Sequence, residues 1–368
     1  SNHAANDTGA AIRALAAAAV RISAEIRAPR QTLDAAAGEV NADGDVQKAL
    51  DVLADEIILA AVRGAGAAAY MSEERDEAIP LAPEGRVIVA SDPLDGSSNI
   101  GVNVSIGTIF SILPAGRGGL LCGREQLAAG FFVYGPQTTL LLTLGKGVAS
   151  FLMREDGGFD LIEDGVAIPE QTAEFAINSG NQRYWHPPVQ RYVADCVAGA
   201  DGPRGRNFGL RWVGSLVADA WRIFSRGGVF LYPADSRDGY GEGRLRLVYE
   251  AAPMAFLAEQ AGGRASDGVR DILDIVPATV HQRVPLVFGS ADEVAEAIAD
   301  LEWVVRGEAG SSQPALVSPE RLDVARRKPR AARTCGQRAA NQPLIVGRCA
   351  ARGQSPRRGC RLARWSSG

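Results

Sequence analysis

The stretch Ala90-Ser91-Asp92-Pro93-Leu94-Asp95-Gly96-Ser97-Ser98-Asn99-Ile100 decides how the rest of the chain is read. Before it, the β-branched run Val87-Ile88-Val89 predicts a short buried strand over residues 87–90. That strand is expected to stop at Asp92, because Pro93 cannot donate a ladder hydrogen bond. Asp92 and Asp95 then sit three residues apart at a strand end, on backbone stiffened by Pro93. Gly96-Ser97-Ser98 follows, a small-residue turn whose amides can face an anion. Hard oxygen ligands beside a phosphate-sized cradle suit Mg²⁺-assisted phosphoryl chemistry. An Asp-Pro-x-Asp-Gly run also occurs in plain surface turns, but the strand before it and the Gly-Ser-Ser after it favour a site.

Outward from this loop the periodicities divide the chain. Upstream, helices are predicted over residues 9–27 and 45–63. The second carries Val46, Leu50, Leu53, Ile57 and Ala61 at helical spacing, and Gly64 and Gly66 end it. On pattern alone Asp51, with Asp55 one turn on, reads as solvent-facing. Downstream, strands over 106–113, 127–134, 138–144 and 148–153 are punctuated by turn residues and predict an antiparallel meander. Beyond Pro169 strands and helices alternate: strand 175–178, helices 188–198 and 215–225, strand 229–232, helix 252–260, strand 285–288 and helix 292–301. The expectation is an α+β half over residues 1–169 holding the acidic loop, then an α/β half over 170–308.

With 368 residues the chain can build two cores. No apolar run approaches the ~20 residues of a membrane span, and the Ala-rich start is broken by Arg13, Arg21, Glu25 and Arg27, unlike a signal peptide. The five cysteines, Cys122, Cys196, Cys335, Cys349 and Cys360, form no C-x-x-C pair, which points to a reducing, cytoplasmic setting. The net charge of −4 hides an asymmetry: residues 311–368 hold 12 Arg and one Lys against Glu320 and Asp323, a net of +11. That tail lacks interleaved aromatics and apolar periodicity. Residues 309–368 therefore read as a disordered or anomalous extension, and nucleic-acid binding by it is not favoured.

Asp92-Pro93-Leu94-Asp95-Gly96-Ser97-Ser98-Asn99 resembles the metal-site signature of the class I fructose-1,6-bisphosphatases. Further matches follow in the family's order: Gly44 to Asp51, Met71-Ser72-Glu73-Glu74, Arg211 to Ser215, Phe230 to Pro233, Leu245 to Glu250, His281 to Pro285 and Gly289-Ser290. The resemblance runs from about residue 11 to about 305. It implies a layered α-β-α-β-α sugar-phosphatase fold, α+β then α/β, with the site between the halves.

It also implies roles. Glu73, Asp92, the Leu94 carbonyl, Asp95 and Glu250 would hold two or more Mg²⁺ ions, with Mn²⁺ able to substitute. Glu74 would act with Asp51 on the nucleophilic water, and Asp45 would lie near a loop that completes the site. The amides of Gly96, Ser97 and Ser98 would hold the phosphate being cleaved. Asn178, Tyr232, Arg244 and, from a neighbouring subunit of a homotetramer, Arg211 would hold the distal phosphate, and Arg246 would lie near the metals. His186 and His281 read as structural, since a hard cation prefers oxygen.

Three positions depart from the common pattern. Trp212 and Asn181 stand where tyrosines are typical, and Arg244 replaces a Lys, trading a point charge for a bidentate fork. The loop 235–243 resembles that of bacterial carbon-fixation enzymes, which extends the expected substrates to sedoheptulose 1,7-bisphosphate. Control by AMP is expected to be weak or absent, because Thr8-Gly9-Ala10 and Arg86-Val87 miss the nucleotide-pocket pattern. The rival readings are an inositol-monophosphatase-like enzyme and a non-catalytic metabolite sensor. The former usually has Thr after the Gly and a later Trp-Asp pair, and neither occurs here.

Overall fold

Two alanine-rich helices open the chain. The structure, a computed structural model, describes residues 2–28 and 44–305. The basic tail, Asp45's side chain and Cys335, Cys349 and Cys360 lie outside the described residues. Helix α1 (Asn2–Arg27) buries Leu15, Ala18, Ala19 and Ile22 against α2 (Gly44–Gly64), which contributes Leu50, Ala54, Ile57, Ile58 and Val62. This stripe differs from the one predicted: Leu53 and Ala61 are only partly buried. The helix is rotated so that Ala54 and, with it, Asp55 face inward. Solvent exposure of Asp55 is thus corrected by a tertiary partner described below.

Among the described residues, the larger sheet has eight strands in the order β2-β1-β3-β4-β5-β6-β7-β8. These are β1 (Ala69–Ser72), β2 (Ile79–Pro80), β3 (Val87–Asp95), β4 (Ile106–Pro114), β5 (Ala128–Tyr134), β6 (Thr138–Thr143), β7 (Val148–Met153) and β8 (Phe159–Asp164). The predicted meander, β4 to β7, is antiparallel, and β3 and the unpredicted β8 extend it at either end. Strand β1 instead runs parallel to β3, pairing Ser72 with Ser91.

Strand β3 does not stop at Asp92 but continues to Asp95. Its register against β4 slips between Asp92↔Ile109 and Asp95↔Gly107, so one extra residue is absorbed around Pro93. A bulge tolerates proline and re-aims the flanking side chains, which is how two aspartates of one strand can serve one pocket.

The second sheet has the order β10-β9-β11-β15-β13: β9 (Glu174–Ala176), β10 (Gly209–Leu210), β11 (Val229–Tyr232), β13 (Arg264–Ser266) and β15 (Leu286–Gly289). A two-stranded ribbon joins β12 (Leu245–Arg246) to β14 (Arg283–Val284). The remaining helices are α3 (Pro187–Ala198), α4 (Leu216–Arg226), α5 (Ala252–Gln260) and α6 (Ala291–Val305).

Apolar packing stacks these elements in five layers. Helices α1 and α2 cover one face of the large sheet through Val89, Phe110 and Phe132. Its other face meets α4 and α5, where Phe131, Phe224, Met254 and Leu257 share a core with Phe230 and Phe288 of the second sheet. Helices α3 and α6 close the far side through Tyr192, Val193, Val294 and Ala297 against Leu231 and Val287. This is the expected α-β-α-β-α order. Helix α5 is apolar all round, as a helix between two sheets must be.

Candidate active site

Parallel pairing of β1 with β3 sets the site. Glu73, just past β1, donates its amide to the Ser91 carbonyl at 3.1 Å, which carries the pairing one residue further and brings its side chain beside Asp92. The third carboxylate, Glu250, sits in a π-type turn (Leu247–Ala251) that leads into α5. Such turns are frequent at functional positions because the extra residue swings a side chain inward. Its Oε2 accepts the Arg246 amide, and its side chain is buried.

Glu73, Asp92 and Glu250 each present one oxygen within 4.8 Å of the others. Three carboxylates so close repel one another. Burial, followed by the charge of Glu73, holds Asp92 and Glu250 well above the usual carboxylate range. Glu73 is raised by burial, although the Arg246 guanidinium opposes the shift. Arg246 Nε lies 3.6 Å from Glu73 Oε1 and is buried with no hydrogen-bond partner. One guanidinium beside three acids leaves the pocket suited to more positive charge.

Asp95 is used differently. Its Oδ2 accepts the Val217 amide at 2.9 Å and the Ser215 hydroxyl at 3.2 Å, so the loop docks on the N-terminus of α4. Burial still raises it to about 6, against those hydrogen bonds. Leu94, buried beside it, donates its amide to Asp92 Oδ1 at 3.0 Å. Gly96 follows at φ 75°, and a Cβ there would lie 3.0 Å from the side chain of Ser215. The residue must therefore be glycine both for its backbone and for its neighbour. Gly96 starts a short 3₁₀ helix (Ser97–Val102), whose first amides, those of Ser97 and Ser98, stand at the end where helical N–H groups point outward.

Asp51 looks into the same region from α2. Burial and the Glu74 charge raise it to about 7, and a hydrogen bond from the Ser97 side chain pulls the other way. Asp51, Glu73, Glu74 and Ser97 are therefore electrostatic neighbours. His281 contacts the Arg75 carbonyl at 2.9 Å.

The distal residues gather elsewhere. Asn178, Asn181, Trp212 and Tyr232 line one shallow, open groove. Trp212 stacks on Phe230 at 5.6 Å, and its loop is pinned by Asp219, whose carboxylate accepts the Val213 and Gly214 amides. Trp185 and Asp235 line the groove too, and neither was singled out from the sequence. A Trp flanked by His-Pro-Pro carried a weak signal, and the Asp carried none.

The Arg244 guanidinium lies 4.4 Å from the Tyr240 ring, and its charge acts on Tyr232 of this groove. Arg237 lies 3.9 Å from the same ring and is tied to Asp235. Arg211 is not in the groove of its own chain. It is exposed, bonds the Leu210 carbonyl and lies 3.9 Å from Glu174. The two regions are linked by Asn99, whose side-chain amide donates to the Gly214 carbonyl at 3.0 Å.

An acidic, oxygen-only pocket at the edge of a five-layer α-β-α-β-α stack, with a phosphate-sized turn beside it, defines a phosphatase of the sugar-phosphate type. The comparisons with known proteins narrow this. Residues 1–164 match the N-terminal domain model of fructose-1-6-bisphosphatase, and residues 168–302 match its C-terminal domain model. The class 1 fructose-1,6-bisphosphatase of Azorhizobium caulinodans is 57% identical over 266 residues, which is 70% of this chain and 81% of that protein. That of Rhodopseudomonas palustris is 55% identical over 291 residues, 77% and 85% respectively. The crystal structure of holo Leishmania major fructose-1,6-bisphosphatase superposes with a TM-score of 0.73 at 32% identity, covering 80% of this chain and 94% of that one. The chain belongs to the class 1 fructose-1,6-bisphosphatases, a family of phosphoric monoester hydrolases.

Proposed function

We propose that the chain hydrolyses the 1-phosphate of fructose 1,6-bisphosphate, giving fructose 6-phosphate and phosphate, with Mg²⁺ as cofactor. The observation that carries this is the convergence of Glu73, Asp92 and Glu250 within 4.8 Å. The donor set fits hard divalent cations: every side-chain ligand is a carboxylate, the Leu94 carbonyl adds a neutral oxygen, and the acids are destabilised as bare anions. Glu73, Asp92, Leu94, Asp95 and Glu250 would hold two or more Mg²⁺ ions, which supply Lewis-acid stabilisation of the transferring phosphoryl group.

The chain's own residues do the rest. Asp51, near neutrality in its burial, suits a general base that takes a proton from the attacking water, with Glu74 beside it. The Ser97 side chain holds Asp51 in place, and the Gly96-Ser97-Ser98 amides orient the phosphate for in-line displacement. Asn178, Tyr232 and Arg244 bind the distal phosphate. Arg211, turned away from its own groove, completes a neighbour's site in a homotetramer, and Arg246 steadies Glu73. With the Arg237–Tyr240–Arg244 stack on loop 235–243, the groove extends the reading to sedoheptulose 1,7-bisphosphate. The setting is the cytoplasm. Among the described residues no helix is long and apolar enough to cross a membrane.

Steady-state phosphate release from the two bisphosphates and from inositol monophosphate, with Mg²⁺ and with Mn²⁺, tests the reading. Metal-dependent turnover of the bisphosphates, with inositol monophosphate at least tenfold poorer in kcat/KM, is expected. Preference for inositol monophosphate, or turnover unaffected by chelator, would overturn it.

A further inference from the structure

Asp55 lies one turn beyond Asp51 on α2 and is only 3% exposed, yet the hydrolytic reading gives it no task. Its Oδ1 accepts the Tyr70 hydroxyl at 3.0 Å, and its Oδ2 accepts Arg75 Nε at 2.6 Å. Tyr70, fully buried on β1, gives its single hydroxyl proton to Asp55. The Ser91 hydroxyl, 2.8 Å away, is therefore the donor to the Tyr70 oxygen. Burial and the Asp55 charge push the Tyr70 phenol far up, so it stays a donor at any working pH.

The partners' places in sequence matter. Ser91 immediately precedes Asp92, and Arg75 immediately follows Glu73-Glu74. The Arg75 carbonyl in turn meets His281, whose ring lies 5.6 Å from that of Tyr249, the neighbour of Glu250. We propose that Asp55 is a positioning residue, one buried carboxylate that fixes the helix carrying Asp51 against the segments carrying Glu73-Glu74 and Asp92.

The physical need is specific. Ladder hydrogen bonds fix β1 to β3, whereas α2 meets them largely through apolar side chains, whose attraction is non-directional, and through a solvent-exposed Glu56–Arg75 ion pair beside Asp55. A helix held only so can slide by a fraction of an ångström, enough to misplace a base. Charge-assisted hydrogen bonds in a low-dielectric interior are directional, and breaking them leaves buried partners unsatisfied. Asp55 supplies two of these bonds where the like-charged acids push their segments apart. The inference rests on the hydrolase reading and deepens it.

The test compares Asp55→Asn and Tyr70→Phe with the parent chain in kcat, KM, Tm and calorimetric Mn²⁺ affinity. For Asp55→Asn, kcat should fall about 10–100-fold and Mn²⁺ should bind about tenfold more weakly, the usual range for groups that orient ligands. KM should stay within about twofold, because the distal groove is untouched. Tyr70→Phe loses only a hydroxyl, so it should fold and move both quantities the same way by less. Variants that lose Tm but keep kcat and Mn²⁺ affinity would overturn the positioning role. Phosphate release by the parent tests the hydrolase reading separately, and Mn²⁺ affinity is read without turnover, so the two failures are distinguishable.

Discussion

The acidic pocket and the distal groove are built on opposite plans. The pocket's acids, Glu73, Asp92, Asp95 and Glu250, stand on or next to strands and a helical turn, and all but Glu73 are buried. Their backbone is fixed by a parallel ladder, a bulge and a π-type turn. The groove's residues sit at strand ends and in loops: Asn178 is exposed, Tyr232 half-buried, and nearby Arg244 stacks on the ring of Tyr240. On the proposed reading, chemistry that depends on fractions of an ångström would occupy the rigid part, and recognition the part whose loops can vary.

The comparison breaks most visibly in the pocket. Asp92→Asn should lower kcat by about 10²–10³-fold, the scale of losing one preorganised electrostatic group. The same substitution should raise the Tm of the metal-free chain, because it removes one of three repelling acids. A variant that loses stability in step with activity would show that Asp92 serves the fold instead.

In the groove, Arg244→Ala should raise KM about tenfold to a hundredfold, the worth of a charge-assisted hydrogen bond, with kcat far less affected. Steady-state kinetics on fructose 1,6-bisphosphate reads the split; an equal fall in kcat would merge the two regions. Gly96→Ala probes the seam between them. Its positive φ and the 3.0 Å approach to Ser215 predict a loss of about 1–3 kcal/mol in denaturant unfolding. Unchanged stability would mean that the turn is not pinned to α4.

The last effect is a drift of stability with pH. Asp51 has its folded pKa raised from 3.8 to about 7, and Asp95 to about 6. The metal-free folded chain then binds more protons than the unfolded one between these values, so its stability falls as pH rises from about 4 to about 7. Thermal scans without metal should show Tm decreasing across that window and Mg²⁺ reversing the trend at its upper end. A Tm that climbs throughout would contradict the shifts.

The meander and the helices around Leu216 and Ala252 were legible because their periodicities and turn residues are local. The Asp92 loop was legible as a site, but not as a bulge, since Pro93 alone reads as a strand end. Strand β1 escaped notice: Ala69-Tyr70-Met71-Ser72 is four residues long and runs into an acidic stretch that mimics a surface loop. Asp55 next to Glu56 reads as a solvated helix face, and only Tyr70 and Arg75, distant in sequence, explain its burial. The Tyr240 stack was hidden for a related reason, because loop 235–243 has no periodicity to place Arg237 and Tyr240 beside Arg244.

The most direct test is calorimetric titration of the metal-free chain with Mg²⁺ at pH 6 in two buffers of different ionisation enthalpy. If Glu73, Asp92 and Glu250 are crowded acids awaiting cations, binding will be saturable and will release protons into the buffer. Heats that never saturate, or that saturate with no proton released, would contradict the account.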